Sequence, residues 1–306
     1  MNRGLVIKTT GSWYSVKSCN QVIPCKIKGK FRIQGIRATN PVTVGDQVDY
    51  ELLNDNTGII TKIEERKNYI IRRASNLSKE YQLIAANIDQ AWLIVSLNSP
   101  RTYPEFIDRF LVTAEAYSIP ANIVFNKTDL YAEEEMEELK LLSYVYRKIG
   151  YNVLQTTSQR KESLKLMKDQ MKDKVNLISG NSGVGKSTLI NIIDSTLELK
   201  TSEISDAHLT GKHTTTFAEM HFFSFGGAVI DTPGIRGFGL IDFGKDELFH
   251  YFPEIFEHSH NCRFYNCTHV HEPGCAVIKA LENGDIFESR YASYLSMMED
   301  NDSKYR

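Results

Sequence analysis

The stretch Gly180-Asn181-Ser182-Gly183-Val184-Gly185-Lys186-Ser187 decides the fold of this chain. It matches the pattern GxxxxGK[ST], follows the apolar run VNLIS and opens the helical sequence STLINIID, which begins with Ser187 and Thr188. In that context, backbone N–H groups converge on the α- and β-phosphates of a nucleotide, the lysine reaches the β- and γ-oxygens, and Ser187 holds Mg²⁺. A Gly-rich turn without a ligand is the alternative. The pattern predicts a nucleotide-binding α/β domain.

The sequence around this loop alternates short apolar runs with amphipathic segments. Helices are expected near 104–118, 133–149 and 161–173. This alternation predicts a parallel sheet. An antiparallel pair is expected to follow, formed by Glu219–Ser224 and Ala228–Asp231. The predicted buried strands are AWLIVSL (91–97), ANIVFN (121–126), NVLQTT (152–157) and VNLIS (175–179).

The tetrapeptide Asn126-Lys127-Thr128-Asp129 ends the second predicted strand. It is similar to the guanine-specificity motif NKxD of GTPases, in which the carboxylate accepts hydrogen bonds from guanine N1 and N2. In that motif the asparagine braces the loop and the lysine stem covers the base. Because adenine lacks those two donors, Asp129 would reject ATP. A polar turn at a strand end is the alternative for the tetrapeptide alone.

Two further segments resemble the switches of GTPases. Asp231-Thr232-Pro233-Gly234 resembles the DxxG switch, which implies that Asp231 holds Mg²⁺ through water and that the Gly234 N–H contacts the γ-phosphate. Gly211-Lys212-His213-Thr214-Thr215-Thr216 is a candidate first switch. The GTPase pattern favours Thr215 as the residue that senses Mg²⁺ and γ-phosphate, and the threonines beside it could simply begin a strand.

The order of these motifs is unusual, because NKTD and the predicted base-backing segment Thr156-Thr157-Ser158 precede the phosphate loop and the switches follow it. With a basic segment before and a Cys/His segment after, the chain resembles the RsgA (YjeQ) family of circularly permuted GTPases. The resemblance runs from the opening GxVxxxxGxxYxV to CxxxxCxHxxxxxC. At the base, it implies contacts from Thr157 and Ser158, although TTS departs from the more usual serine–alanine pair.

The resemblance implies a GTP hydrolase that binds the small ribosomal subunit and acts in its late maturation, with hydrolysis stimulated by the subunit and coupled to release. Ile235 stands where Ras-type enzymes place the glutamine that orients water, and an aliphatic side chain cannot do so. The family pattern implies that His213 takes this role, with Thr215 and Lys186 as the other catalytic residues. An ordinary loop histidine is the alternative.

Residues 262–275 hold three cysteines and two histidines. Cys262, Cys267, His269 and Cys275 form a Cys₃His set, which suits one structural Zn²⁺ per chain in a helical C-terminal domain. His271 could replace His269, and buried cysteines without metal are the alternative. Further on, Arg290, Tyr291 and Tyr294 could contact RNA or pack in the interior.

The N-terminal part of the chain is basic and rich in short β-type runs. Residues 1–79 hold fourteen Lys and Arg against six acids, a charge of +8 that leaves −10 for the rest of a chain of net charge −2. This asymmetry favours a polyanion partner or a solvated face. Four cations, Lys26, Lys28, Lys30 and Arg32, are the candidate RNA contacts. The runs LVIKTT, SWYSVKS, VIPCKIKG, RIQGI, QVDYELL and GIITKI predict an OB-fold barrel.

A chain of 306 residues has room for two or three domains. We predict a multidomain protein with an OB-fold barrel (1–70), a linker (71–84), a circularly permuted α/β GTPase domain (85–245) and a zinc-binding helical domain (246–306). Long apolar runs and a cleavable leader are missing, and the odd number of cysteines disfavours a disulfide framework, so we expect a cytoplasmic protein. We also expect it to be a monomer. Two alternatives are a nucleotide-gated RNA-binding protein with negligible turnover and a P-loop ATPase or small-molecule kinase.

Overall fold

The computed structural model describes residues 2–27, 40–73, 81–159, 161–197, 199, 218–231 and 244–299. The strands are β1 (Asn2–Thr10), β2 (Trp13–Ser18), β3 (Gln21–Ile27), β4 (Gln47–Leu52), β5 (Gly58–Ile63), β6 (Tyr69–Arg73), β7 (Tyr81–Ala86), β8 (Gln90–Val95), β9 (Ala121–Phe125), β10 (Asn152–Gln155), β11 (Val175–Ser179), β12 (Glu219–Phe222) and β13 (Ala228–Asp231). The α-helices are α1 (Pro104–Ala116), α2 (Glu133–Ile149), α3 (Lys161–Met171), α4 (Lys186–Ile193), α5 (Pro253–Ser259), α6 (Ala276–Glu282) and α7 (Glu288–Glu299). Short 3₁₀ helices lie at Thr128–Leu130 and Leu248–Tyr251.

The first five strands close into a small barrel in the order β1-β2-β3-β5-β4, with β4 pairing back onto β1. Alternate side chains of these strands point inward, because successive residues of a strand face opposite sides of a sheet. The barrel core includes Val6, Tyr14, Val16 and Tyr50. This closure confirms the predicted N-terminal barrel. The predicted strand RIQGI lies outside the described residues.

The predicted nucleotide-binding motifs follow the carboxyl ends of the parallel strands of the central sheet. Strands β10, β9, β8, β11 and β13 are adjacent and parallel, and β12 runs antiparallel beside β13. Successive residues of β8 enter two different cores, with Leu93 in one and Trp92 and Ile94 in the other. The carboxyl ends of parallel strands lie together, which is where ligands of such sheets bind.

One strand joins the barrel to the central sheet. β12 pairs antiparallel with β1 at Glu219 and Lys8, and the same two residues form an ion pair of 2.8 Å between Oε2 and Nζ. Beside this contact, the Lys17 ammonium lies 3.5 Å from the centre of the Phe222 ring. The described barrel and the central sheet therefore form one continuous hydrogen-bonded sheet of eleven strands.

The two ends of the predicted linker 71–84 lie in strands. β6 and β7 pair as a separate two-stranded antiparallel sheet and include residues 71–73 and 81–84. Ile70 and Ala85 are buried in the same core as Ile107 of α1. The polar residues between the two short apolar runs interrupt their alternation, so the sequence pattern did not predict strands here.

The C-terminal helices pack on α1 through a buried ionic cluster. The Arg290 guanidinium donates to Asp108 Oδ1 from Nη1 and to Glu254 Oε1 from Nε, each at 2.6 Å. Arg290 and Tyr294 are fully buried, so packing, rather than RNA contact, accounts for both residues. Within the described ranges, none of the helices is long and apolar enough to cross a membrane.

Candidate nucleotide site and metal centre

The phosphate loop connects the end of β11 to the start of α4, as the motif predicts. Gly180 has a φ of 139°, and a Cβ there would lie 2.1 Å from the Ile94 carbonyl oxygen of β8. Gly185 has a φ of 98°, and its Cβ would lie 2.5 Å from Asn126 Nδ2. Glycine is therefore required at both positions by conformation and by space.

The lysine of the loop lies against the loop's own backbone. Lys186 Nζ donates to the carbonyl oxygens of Gly180 at 2.8 Å and Asn181 at 2.7 Å. Ser187 is half-buried and Thr188 exposed on the first turn of α4. The first N–H groups of a helix have no partner within it, so this end of α4 combines backbone donors with a cation. Such an arrangement favours an anionic ligand.

Asn126 connects the NKTD segment to the phosphate loop. Its buried amide donates from Nδ2 to the Val184 carbonyl at 2.8 Å, across 58 residues of sequence. Its Oδ1 accepts a hydrogen bond of 3.0 Å from the Thr156 hydroxyl. Both polar atoms of the Asn126 side chain are therefore hydrogen-bonded. They connect the NKTD segment to the phosphate loop, although the two motifs are distant in the sequence.

The remaining NKTD residues lie beside Asn126, after the carboxyl end of β9. Thr157 Oγ1 donates to Asp129 Oδ1 at 2.5 Å, which orients the carboxylate from one side. Lys127 has a φ of 61°, and its ammonium donates to the Ser99 carbonyl at 2.6 Å. Asp129 and Ser158 are exposed, which leaves them accessible to a ligand.

Asp231 ends β13, whose parallel pairing with β11 brings the Asp231 backbone beside the end of the strand that leads into the phosphate loop. Its backbone partner on β12 is Glu219. The Asp231 side chain, Thr215, Gly234 and His213 lie outside the described part of the structure. The role of these four residues stays a prediction.

The Cys/His segment forms a compact cluster. The ligand atoms of Cys262, Cys267, His269 and Cys275 all lie within 4.8 Å of one another. His269 Nδ1 is 3.5 Å from the sulfurs of both Cys262 and Cys275. His271 is exposed and does not belong to this cluster. Of the two histidines that the sequence left open, the structure places His269 with the thiols.

The chemistry of the cluster fits zinc. Burial lowers the pKa of His269, which keeps the imidazole neutral and able to bind a metal through Nδ1. Burial also raises the pKa of the Cys267 thiol to about 12, so its thiolate requires a nearby cation. Three sulfurs and one imidazole nitrogen are a typical donor set for structural Zn²⁺.

Glu272 stabilises the loop between Cys267 and Cys275 through hydrogen bonds. Its carboxylate accepts from the backbone N–H groups of Thr268, Val270 and His271 and from the Thr268 hydroxyl. Although burial opposes ionisation, these hydrogen bonds hold the Glu272 pKa well below its usual range. The hydroxyl of Tyr291 donates to the His269 carbonyl at 2.7 Å. The backbone around the cluster is therefore held from two sides.

Comparison with known proteins agrees with this geometry. The model of the RsgA N-terminal domain matches residues 3–60, and the RsgA GTPase model matches residues 63–241. The small ribosomal subunit biogenesis GTPase RsgA of Christiangramia forsetii is 52% identical over 99% of this chain and 98% of its own length. The protein of that name from Bacteroides fragilis strain YCH46 is 55% identical over 99% of both chains. The chain belongs to the RsgA GTPase family.

Two solved structures are similar to this RsgA family member over nearly its whole length. YjeQ from Thermotoga maritima matches with a TM-score of 0.77 and 34% identity over 97% of both chains. YloQ, described as a circularly permuted GTPase, matches with a TM-score of 0.74 and 32% identity over 97% of this chain and 94% of its own. These matches confirm the predicted family, the GTPase assignment and the permuted multidomain fold.

Two residues support the candidate nucleotide site of this RsgA family member: Thr156, which was predicted only as part of the base-backing segment, and Tyr131, which was not predicted. Thr156 holds Asn126 as described above, and its position directly after β10 was the available signal. Tyr131 donates from its hydroxyl to the Asn126 carbonyl and accepts from the Leu97 N–H, each at 2.9 Å. No local pattern distinguishes Tyr131, because its partners come from other parts of the chain.

On the barrel of this RsgA family member, one predicted RNA contact is described. Lys26 is exposed on β3, and its ammonium lies 4.3 Å from the centre of the half-exposed Trp13 ring. Lys28, Lys30 and Arg32 lie outside the described ranges. Lys26 and Trp13 thus present a cation and an aromatic surface together on the barrel.

Proposed function

We propose that this chain hydrolyses GTP in a cycle coupled to the small ribosomal subunit, acting in late subunit maturation in the cytoplasm as a monomer. In this proposal the subunit stimulates hydrolysis, and hydrolysis leads to release. The names of the relatives support the assignment to small-subunit biogenesis. The domains would be the barrel (1–70), the GTPase domain (85–245) and the zinc-binding domain (246–306).

The main support for the proposal is the pair of hydrogen bonds made by the Asn126 side chain, one to Val184 and one to Thr156. Through them NKTD is held against the phosphate loop. With this brace, Asp129 would accept from guanine N1 and N2, and the stem of Lys127 would cover the base. Thr157 and Ser158 would complete the base pocket. Discrimination against adenine follows because its Watson–Crick edge would leave the Asp129 carboxylate unpaired.

The phosphates would be held by the backbone N–H groups of residues 180–188. Lys186 would exchange its hydrogen bonds to two loop carbonyls for the β- and γ-phosphate oxygens. This exchange stabilises the charge that develops on the phosphoryl group in the transition state. Ser187, Thr215 and Asp231 are the residues that would hold Mg²⁺, which when bound neutralises phosphate charge.

The attacking water needs a hydrogen-bond partner that Ile235 cannot provide. We assign this role to His213, which would act only when the subunit is bound. Removal of a group that acts only in the transition state lowers turnover without lowering ground-state affinity. Lys26 on the barrel, together with Lys28, Lys30 and Arg32, would contribute contacts to ribosomal RNA phosphates.

The test is single-turnover GTP hydrolysis with and without purified small subunits. We expect stimulation by the subunit, and we expect His213→Ala to reduce the stimulated rate about 100-fold or more while nucleotide and subunit binding persist. His271→Ala, an exposed histidine outside the metal cluster, is the matched control. Negligible turnover of the unaltered chain on saturating subunits would instead favour a nucleotide-gated RNA-binding protein.

A further inference from the structure

Two loops at the carboxyl end of the central sheet are joined by hydrogen bonds. One is the segment 96–103 between β8 and α1, which we call the β8–α1 loop, and the other carries NKTD. Lys127 Nζ donates to the Ser99 carbonyl at 2.6 Å. Asn98 Nδ2 donates to the Leu130 carbonyl at 3.2 Å. The β8–α1 loop therefore contacts the guanine-motif turn at both of its ends.

The Tyr131 hydroxyl makes a buried connection between the same two loops. The Leu97 N–H donates to it and it donates to the Asn126 carbonyl, each at 2.9 Å. Because an N–H can only donate, the hydroxyl accepts from Leu97 and its own proton is directed to Asn126. Leu97 and Asn126 are both buried. Burial also raises the pKa of Tyr131, so the hydroxyl keeps its proton at neutral pH.

The hydrogen bond to the Asn126 carbonyl fixes the peptide unit that precedes Lys127. Lys127 has a φ of 61°, in the left-handed region that residues with a side chain rarely adopt. Rotation of the Asn126–Lys127 peptide would release this conformation, but it would also turn the carbonyl away from Tyr131. The hydroxyl therefore opposes that rotation. Since the 3₁₀ turn Thr128–Leu130 follows directly, the same bond influences where the Asp129 carboxylate lies.

We infer that Tyr131 is a positioning residue for guanine recognition. Held by Leu97, its hydroxyl keeps the Asn126–Lys127 peptide in one orientation. That orientation directs Asp129 towards the base. The inference rests on the proposed function, in which Asp129 accepts from guanine N1 and N2. In this role Tyr131 acts through the backbone of NKTD, without contacting the nucleotide.

Base preference is the property that this role affects. A correctly placed carboxylate accepts from both N1 and N2 of guanine, whereas the hypoxanthine base of inosine triphosphate lacks the 2-amino group. Displacement of the Asp129 carboxylate would therefore weaken the double contact with guanine more than the single contact with hypoxanthine. A general loss of stability would lower both affinities alike and would leave their ratio unchanged.

The experiment compares full-length Tyr131→Phe with the unaltered chain. Dissociation constants for GTP, GDP and inosine triphosphate are measured at equilibrium, and single-turnover hydrolysis is measured at saturating GTP. We expect affinity for GTP and GDP to fall about tenfold, because the Leu97 N–H and the Asn126 carbonyl lose their shared partner. The preference for GTP over inosine triphosphate should fall as well, while the hydrolysis rate at saturation should stay within about twofold.

Tyr151→Phe is the matched control, because the Tyr151 hydroxyl also donates a hydrogen bond within the fold, to Glu115 Oε1 at 3.0 Å. Tyr151 precedes β10, at the opposite end of that strand from the base-backing segment. This variant should bind all three nucleotides like the unaltered chain. The melting temperatures of the two variants separate an effect on the guanine motif from a loss of stability.

An unaltered chain that binds inosine triphosphate as tightly as GTP would contradict the role of Asp129 in the proposed function, and this inference with it. If the unaltered chain prefers GTP and Tyr131→Phe keeps the same affinity and preference, the inference alone is wrong. Equal losses of affinity for GTP and inosine triphosphate would also overturn it. So would a lower hydrolysis rate at saturation with unchanged GTP affinity, because Tyr131 would then act on hydrolysis rather than on base recognition.

Discussion

In our proposal base choice depends on Asp129, whose carboxylate accepts a hydrogen bond from the Thr157 hydroxyl. We expect Asp129→Asn to shift preference from GTP towards xanthosine triphosphate, because an amide donates where xanthine presents a carbonyl. Competition binding with GTP, ATP and xanthosine triphosphate measures the shift. If the variant binds GTP as tightly as the unaltered chain does, Asp129 does not read the base.

Thr156 supports the site without contacting the nucleotide in our proposal. Thr156→Val keeps the shape of the side chain but removes the hydroxyl that donates to the buried Asn126 Oδ1. An unpaired buried acceptor costs about 1 to 3 kcal/mol, so we expect GTP affinity to fall about tenfold. Thr156→Ser, which keeps the hydroxyl, is the control. Equal nucleotide dissociation constants for the valine and serine variants would contradict this role.

We expect the loop of residues 262–275 to depend on a bound metal and on a neutral His269. Because burial lowers the pKa of His269 below the ordinary value of 6.5, the unfolded chain takes up the proton more readily. The stability from neutral His269 is therefore present above about pH 6.5 and is lost as the pH falls below it. Protons also compete with metal for the thiolates.

We therefore expect a chelator, or acidification from pH 7 to pH 5, to release about one zinc per chain and to expose the region beyond about residue 246 to protease. The phosphate loop should still bind nucleotide after chelation, because the cluster lies outside the central sheet. Metal analysis and limited proteolysis measure both effects. A zinc-free chain with a protease-resistant C-terminal region would refute the metal centre.

The molecule as a whole is held together partly by Arg290, which joins α7 to Asp108 of α1 and Glu254 of α5. Burial alone would lower the Arg290 pKa, but the two carboxylates raise it well above its usual value. We expect Arg290→Ala to destabilise the fold by about 3 to 5 kcal/mol, because it leaves buried carboxylates without their cation. Thermal or urea unfolding measures this.

The control is Lys140→Ala, which removes an exposed ion pair with Glu137 within α2 and should cost about 0.5 kcal/mol or less. An Arg290→Ala variant as stable as the Lys140→Ala variant would show that the buried cluster does not hold the C-terminal helices on α1.

Local patterns predicted much of the site. The phosphate loop, NKTD and the Cys/His segment are contiguous, and their chemistry depends on residue types at short spacing, so sequence alone identified them. The helix 133–149 was predicted with the bounds of α2 because its apolar periodicity is uninterrupted. The strands β6 and β7 were missed because each is short and the polar residues beside their apolar runs interrupt the alternation.

The sequence by itself determined the chemistry of this protein: a phosphate loop, a guanine motif, a Cys₃His set and the permuted order in which they occur. Only the tertiary structure decided which side chains meet, because contacts across 58 residues, as between Asn126 and Val184, leave no local pattern. It placed His269 rather than His271 with the thiols, and it buried Arg290 in an ionic cluster. The physical reason is that burial and hydrogen-bond partners depend on the packing of the whole chain, whereas motifs depend on neighbours along it.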